Sequence, residues 1–90
     1  MLIIHLSTRF KRSYKKIPTK IKDDFSQKIK IFQNNPFQRN LNTHKLKGKL
    51  DDYYSFYLID GYRVLIDFVG ENTVVLVNIG SHEDYKKWGN

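Results

Sequence analysis

The stretch that decides the fold is Tyr53–Ile79, YYSFYLIDGYRVLIDFVGENTVVLVNI. Most of its positions are β-branched or aromatic, the residue types that suit a pleated, half-buried surface. Two breaks divide it. Asp60-Gly61 tolerates the positive φ that a two-residue type I′ hairpin turn demands, and Gly70-Glu71-Asn72 turns the chain again. Strands are therefore expected over 53–59, 62–69 and 73–79. Along the middle strand Val64, Ile66 and Phe68 point one way, and Arg63, Leu65 and Asp67 the other. The purely apolar set should face a covering layer. Arg63 and Asp67 then lie on an open face, as an ion pair or as a ligand contact.

Outward from the meander, the N-terminal half reads as helices. Residues 2–6 form a short buried strand, and Ser7 can cap the helix that follows. Phe10, Tyr14 and Ile17 recur at helical spacing, and Pro18 stops that helix. A second helix runs from about Thr19 to Gln33, with Ile21, Phe25, Ile29 and Phe32 as its apolar stripe. Asp23 and Asp24 sit in its early turns, where carboxylates suit the helix dipole, and Asn34-Asn35-Pro36 ends it. The two helices form an antiparallel hairpin. Residues 36–52 read as a polar, basic loop, and a short helix over about Glu83–Trp88 closes the chain. The fold class is α+β, in the order β-α-α-β-β-β. The helical hairpin packs on one face of a mostly antiparallel four-stranded sheet.

The 90 residues suffice for a single domain, 1–90, with no separate cofactor domain. There is no cysteine, hence no disulfide, thiol nucleophile or thiolate metal site, and a cytoplasmic setting is the expectation. No run of about 18 apolar residues suggests a membrane span, and Met1–Leu6 is too short and lacks the basic leader of a signal peptide. The net charge is +7, but it is unevenly spread. Residues 1–49 carry 13 basic and 2 acidic side chains, whereas 50–90 carry 3 and 7. A basic footprint of this size favours a polyanion such as RNA, DNA or an acidic protein segment; its bland counterpart is a solvated lysine-rich helix face.

The segments His44-Lys45-Leu46-Lys47-Gly48, Tyr53-Tyr54, Asp60-Gly61-Tyr62-Arg63-Val64 and Ile79-Gly80-Ser81-His82 resemble the RelE/ParE superfamily, the toxins of type II toxin–antitoxin pairs. The likeness extends to the order of elements over nearly the whole chain. It implies a small basic toxin held inactive by a cognate acidic antitoxin. The RelE-like branch cuts mRNA on the ribosome without a metal; the ParE-like branch inhibits DNA gyrase without catalysis. RelE carries two lysines on the strand where this chain has Ser55 and Tyr57, and YafQ-like members carry an aspartate and a histidine there.

Metal-free RNA cleavage needs a base for the 2′-OH, an acid for the 5′-oxygen and a cation on the phosphate. Histidine suits the proton transfers and arginine the clamp. The resemblance implies His44, Arg63 and His82 as catalytic residues. Lys45, Lys47, Lys49 and Tyr85 are the candidates for RNA or ribosome contact, Tyr85 by stacking on a base. Each has a plainer role open to it: packing for His44 and Tyr85, capping for His82, pairing with Asp67 for Arg63, solvation for the lysines. The three histidines and the carboxylates lack metal-ligand spacing, and no phosphate-binding glycine loop occurs, so no metal or cofactor is expected. The leading expectation is a ribosome-dependent endoribonuclease whose partners are antitoxin, ribosome and mRNA; the alternative is a ParE-like gyrase inhibitor.

Overall fold

The computed structural model describes residues 1–89. The chain runs β1 (Ile3–Leu6), α1 (Thr8–Tyr14), α2 (Thr19–Asn34), β2 (His44–Lys45), β3 (Tyr54–Tyr57), β4 (Arg63–Phe68), β5 (Thr73–Gly80) and α3 (His82–Trp88), with 3₁₀ turns at 39–41, 48–50 and 59–61. The sheet order is β1-β5-β4-β3-β2. β1 pairs parallel with β5, and the other pairings are antiparallel. The α+β class and all four anticipated strands are present. A fifth strand, β2, lies inside the segment read as loop: its two residues pair with Ser55 and Tyr54. Two residues are too few for any alternation to show.

The helices cover one face. Ser7 Oγ accepts from Phe10 N (2.9 Å), which caps α1. It also donates to Val77 O (2.7 Å), tying the helix start to β5. Val77 is the extra residue of a bulge, since Ile66 pairs with Leu76 and Leu65 with Asn78. The bulge lets Leu76 and Ile79 both reach the core. That core joins Phe10, Ile17, Ile21, Phe25 and Phe32 to Phe56, Val64, Ile66 and Val74. Phe32 is fully buried and stacks on Phe56 at 5.0 Å. Its truncation to alanine would cost about 3–5 kcal/mol, a large part of a typical domain's stability.

Four details differ from the sequence reading. β1 is not buried: it is an edge strand, with Ile3 56% and Leu6 43% exposed. α1 ends at Tyr14 rather than at Pro18, because the residue before a proline avoids helical backbone and the chain tightens through Lys16 N→Ser13 O and Ile17 N→Tyr14 O. The β3–β4 loop is one residue longer than a two-residue turn. Asp60 and Gly61 do adopt positive φ (57° and 77°), but Leu58 N bonds Tyr62 O around Ile59–Gly61. The displaced Ile59 N–H donates to Asp24 Oδ2 (2.8 Å), which also holds Lys28 (3.0 Å). Finally, the second sheet face is not open throughout, since Leu65 is 1% exposed. At the far side of the same loop Asp60 pairs with Lys20 (2.8 Å), and that hydrogen bond raises the lysine above its ordinary 10.5.

Candidate active site

One row across the sheet builds the site. Tyr57, Arg63 and Gly80 are successive Cα partners on β3, β4 and β5. Two of the three carry long side chains and the third carries none. A Cβ on Gly80 would stand 2.8 Å from Asp84 Cβ and 3.1 Å from the Trp88 ring. Only glycine lets α3 lie this close to the sheet end. Ser81 and Asp84 then fix where α3 begins, by a reciprocal capping box. His82 becomes its first residue, and Tyr85, three positions on, shares its face.

The Arg63 guanidinium sits between two rings, with its Cζ 4.8 Å from the Tyr57 centroid and 4.6 Å from that of Tyr85. Such cation–π contacts hold the planar group in one orientation. Its Nη2 lies 3.1 Å from His82 Nδ1 and 3.4 Å from Gly61 O. Its Nε is buried and unpaired among the described residues. The sequence left Arg63 two roles, and the ion pair with Asp67 is not among the salt bridges of the described residues.

In the neutral form of each imidazole, the contact at Nδ1 selects a tautomer. Arginine has donors only, so His82 Nδ1 accepts and its proton sits on Nε2. His44, half-buried on β2, faces a carbonyl instead: its Nδ1 lies 2.9 Å from Asn42 O. A carbonyl only accepts, so His44 Nδ1 carries the proton and Nε2 keeps a lone pair. The His44 ring lies 5.4 Å from that of Tyr57. Across the sheet the order is thus His44, Tyr57, Arg63, His82, with a lone pair at one end and a proton at the other.

The other candidates are placed less centrally. Tyr85 joins the cluster through Arg63, and it stacks on His82 at 6.3 Å. Lys45, Lys47 and Lys49 are all exposed, on β2 and the turn after it. Lys45 follows His44 on the strand and so points to the opposite face. Ser55, the Cα partner of His44, is 1% exposed, and its hydroxyl has no partner among the described residues. Tyr57 is the member of this cluster that sequence reasoning missed, because an aromatic in a strand reads as core. The available signal was its position, two residues after Ser55 on the strand where RelE and YafQ-like proteins carry polar residues. Among the described residues no group of His, Asp or Glu could hold a metal, and no helix is long and apolar enough to cross a membrane.

Solved structures with this architecture exist at low sequence identity. YafQ from E. coli superposes with a TM-score of 0.78 at 13% identity, covering 94% of this chain and 98% of that one. A RelB–RelE antitoxin–toxin complex from Methanococcus jannaschii contains a chain matching with a TM-score of 0.74 at 20% identity, over 93% and 96%. A YoeB–YefM complex from Staphylococcus aureus gives 0.71 at 22% identity, over 91% and 98%. No protein-family model matches the sequence, and no curated protein sequence does.

Proposed function

We propose that this chain, which carries the fold of the RelE/ParE superfamily, is the toxin of a type II toxin–antitoxin pair and cleaves mRNA on the ribosome without a metal. The observation that supports this reading is Arg63, sandwiched by Tyr57 and Tyr85 and bonded to His82. A guanidinium so oriented suits a phosphodiester whose charge grows in the transition state. His44 Nε2 takes the 2′-OH proton, and the 2′-oxygen attacks phosphorus. The bond to the 5′-oxygen breaks on the far side. As the phosphate engages Arg63, His82 Nδ1 is released and takes a proton from the solvent, to which His44 returns the proton it accepted. The resulting imidazolium gives its Nε2 proton to the 5′-oxygen. Acid and base stand on opposite sides of the arginine, as an in-line displacement requires.

The proposed partners are the ribosome, mRNA and an acidic antitoxin. An apolar groove of about 490 Å³ between Leu6, Phe10, Tyr14 and Phe25, rimmed by Lys11 and Lys15, suits an amphipathic acidic segment of that antitoxin. A second reading, a ParE-like inhibitor of DNA gyrase, is favoured by Ser55 and Tyr57 standing where RelE has lysines. Induced expression followed by primer extension on a translated message separates the two. Cuts within codons support the nuclease; gyrase-linked DNA breaks with intact message support the inhibitor.

A further inference from the structure

A second cleft lies on the other side of α3 from Arg63. It holds about 290 Å³ between α1, β5 and α3, and among the residues lining it are Arg9, Arg12, Lys16, Asn78, Lys87 and Trp88. Arg9 and Arg12 lie on α1, Lys16 stands in the turn that follows it, and Lys87 closes the cleft from α3. All four cations are exposed and take part in no salt bridge among the described residues. The floor is built as well. Asn78 is 5% exposed, and its Oδ1 accepts from Ser13 Oγ (2.7 Å) and from Ile79 N (2.9 Å). Those two donors settle which end of the carboxamide is oxygen. The amide nitrogen is left without a partner among the described residues. No carboxylate lines the cleft among the described residues, and Asp84 of α3 is turned into its own capping box. The cleft therefore offers donors and positive charge, the complement of an anion with several oxygens.

We infer that this cleft binds the phosphodiester backbone of the RNA strand whose scissile phosphate lies at Arg63, an inference that rests on the nuclease reading. The two sites are continuous. Trp88 packs edge-on against Tyr85 (5.7 Å), and Tyr85 covers Arg63 (4.6 Å). A strand leaving Arg63 over Tyr85 meets the indole, on which a base can stack, and then the cations. An acidic peptide is the poorer occupant. Anchoring a folded peptide takes a predominantly apolar groove, and the one between Leu6, Phe10, Tyr14 and Phe25 lies on the other side of α1.

The test is fluorescence anisotropy of a labelled single-stranded RNA oligonucleotide, titrated with the full chain between about 50 and 200 mM salt. Each lost phosphate contact lowers the log–log salt slope by about 0.7 for a single strand. The variant Arg9→Ala/Arg12→Ala/Lys87→Ala should therefore bind more weakly, with a slope smaller by about 2. Those side chains are exposed, so its melting temperature should match that of the wild type. Asn78→Asp keeps both accepted hydrogen bonds but charges the floor, and it should also weaken binding. A triple variant with the wild-type slope overturns the proposal. So does one that keeps its RNA slope and loses binding to a poly-glutamate peptide, because the cleft then serves an acidic protein. If the wild-type chain cuts no message but the triple variant still loses slope, the nuclease reading fails and the cleft stands.

Discussion

Replacing Arg63 perturbs stability and chemistry through the same contacts, so the two losses can be worked out together. Its guanidinium lies 4.8 Å and 4.6 Å from two tyrosine rings. An exposed cation–π contact is worth about 0.5–1 kcal/mol, and more when desolvated. Arg63 is half-buried, so Arg63→Ala should cost about 1–2 kcal/mol from the two contacts together. For a domain of this size that is a fall in Tm on the order of 5–15 °C. The contribution can be isolated by a double-mutant cycle of Arg63→Ala with Tyr85→Leu, read by urea denaturation, with a coupling of about 0.5–1 kcal/mol. Chemistry should suffer far more, since losing a charge-stabilising donor costs about 10²–10³-fold in rate. Arg63→Lys keeps the charge but loses the flat fork, and it should recover little of that rate. A coupling of zero, together with an Arg63→Ala variant as active as wild type, would refute the sandwich as the basis of the site.

The remaining expectations follow from single contacts. His82→Ala should slow cleavage by about 10²–10⁴-fold, and His44→Ala should also slow it, each measured in single turnover; a wild-type rate in either would reduce that histidine to packing. Gly80→Ala should push α3 off the sheet, because its Cβ meets Asp84 and Trp88, at a cost of about 1–3 kcal/mol; emission from Trp88, the sole tryptophan, should shift to the red, and an unchanged spectrum would contradict the close approach. Asp24→Ala leaves the Ile59 N–H without its partner and should lower stability by about 1–3 kcal/mol, read as a lower urea midpoint at unchanged m; no change would mean that water replaces the carboxylate freely.

Long periodic elements were legible in the sequence because their side chains report their own surroundings. Ile21, Phe25 and Phe32 name the buried side of α2, and Val64 and Ile66 the helix-covered side of β4. What escaped depends on residues distant in the chain. The edge position of β1 is set by its pairing with β5 alone, and a short apolar run such as Ile3-Ile4-His5-Leu6 looks the same at a centre or at an edge. The longer β3–β4 loop exists because Asp24, 35 positions away, holds Ile59. Strand β2 is two residues of pairing that no pattern announces. The candidate residues His44, Arg63 and His82 were legible because their chemistry is unusual, and the structure brings Arg63 and His82 into contact. Tyr57 was hidden because its ring serves a cation while looking like core material, and only the register opposite Arg63 reveals it.

Single-turnover cleavage of a message on programmed ribosomes, with the wild-type chain and with purified Arg63→Ala and His82→Ala, tests the central claim most directly. The account predicts that the wild type cuts the message within a codon, while each variant remains folded and slows by about 10²-fold or more. A wild-type chain that never cuts, or variants that cut at its rate, would contradict it.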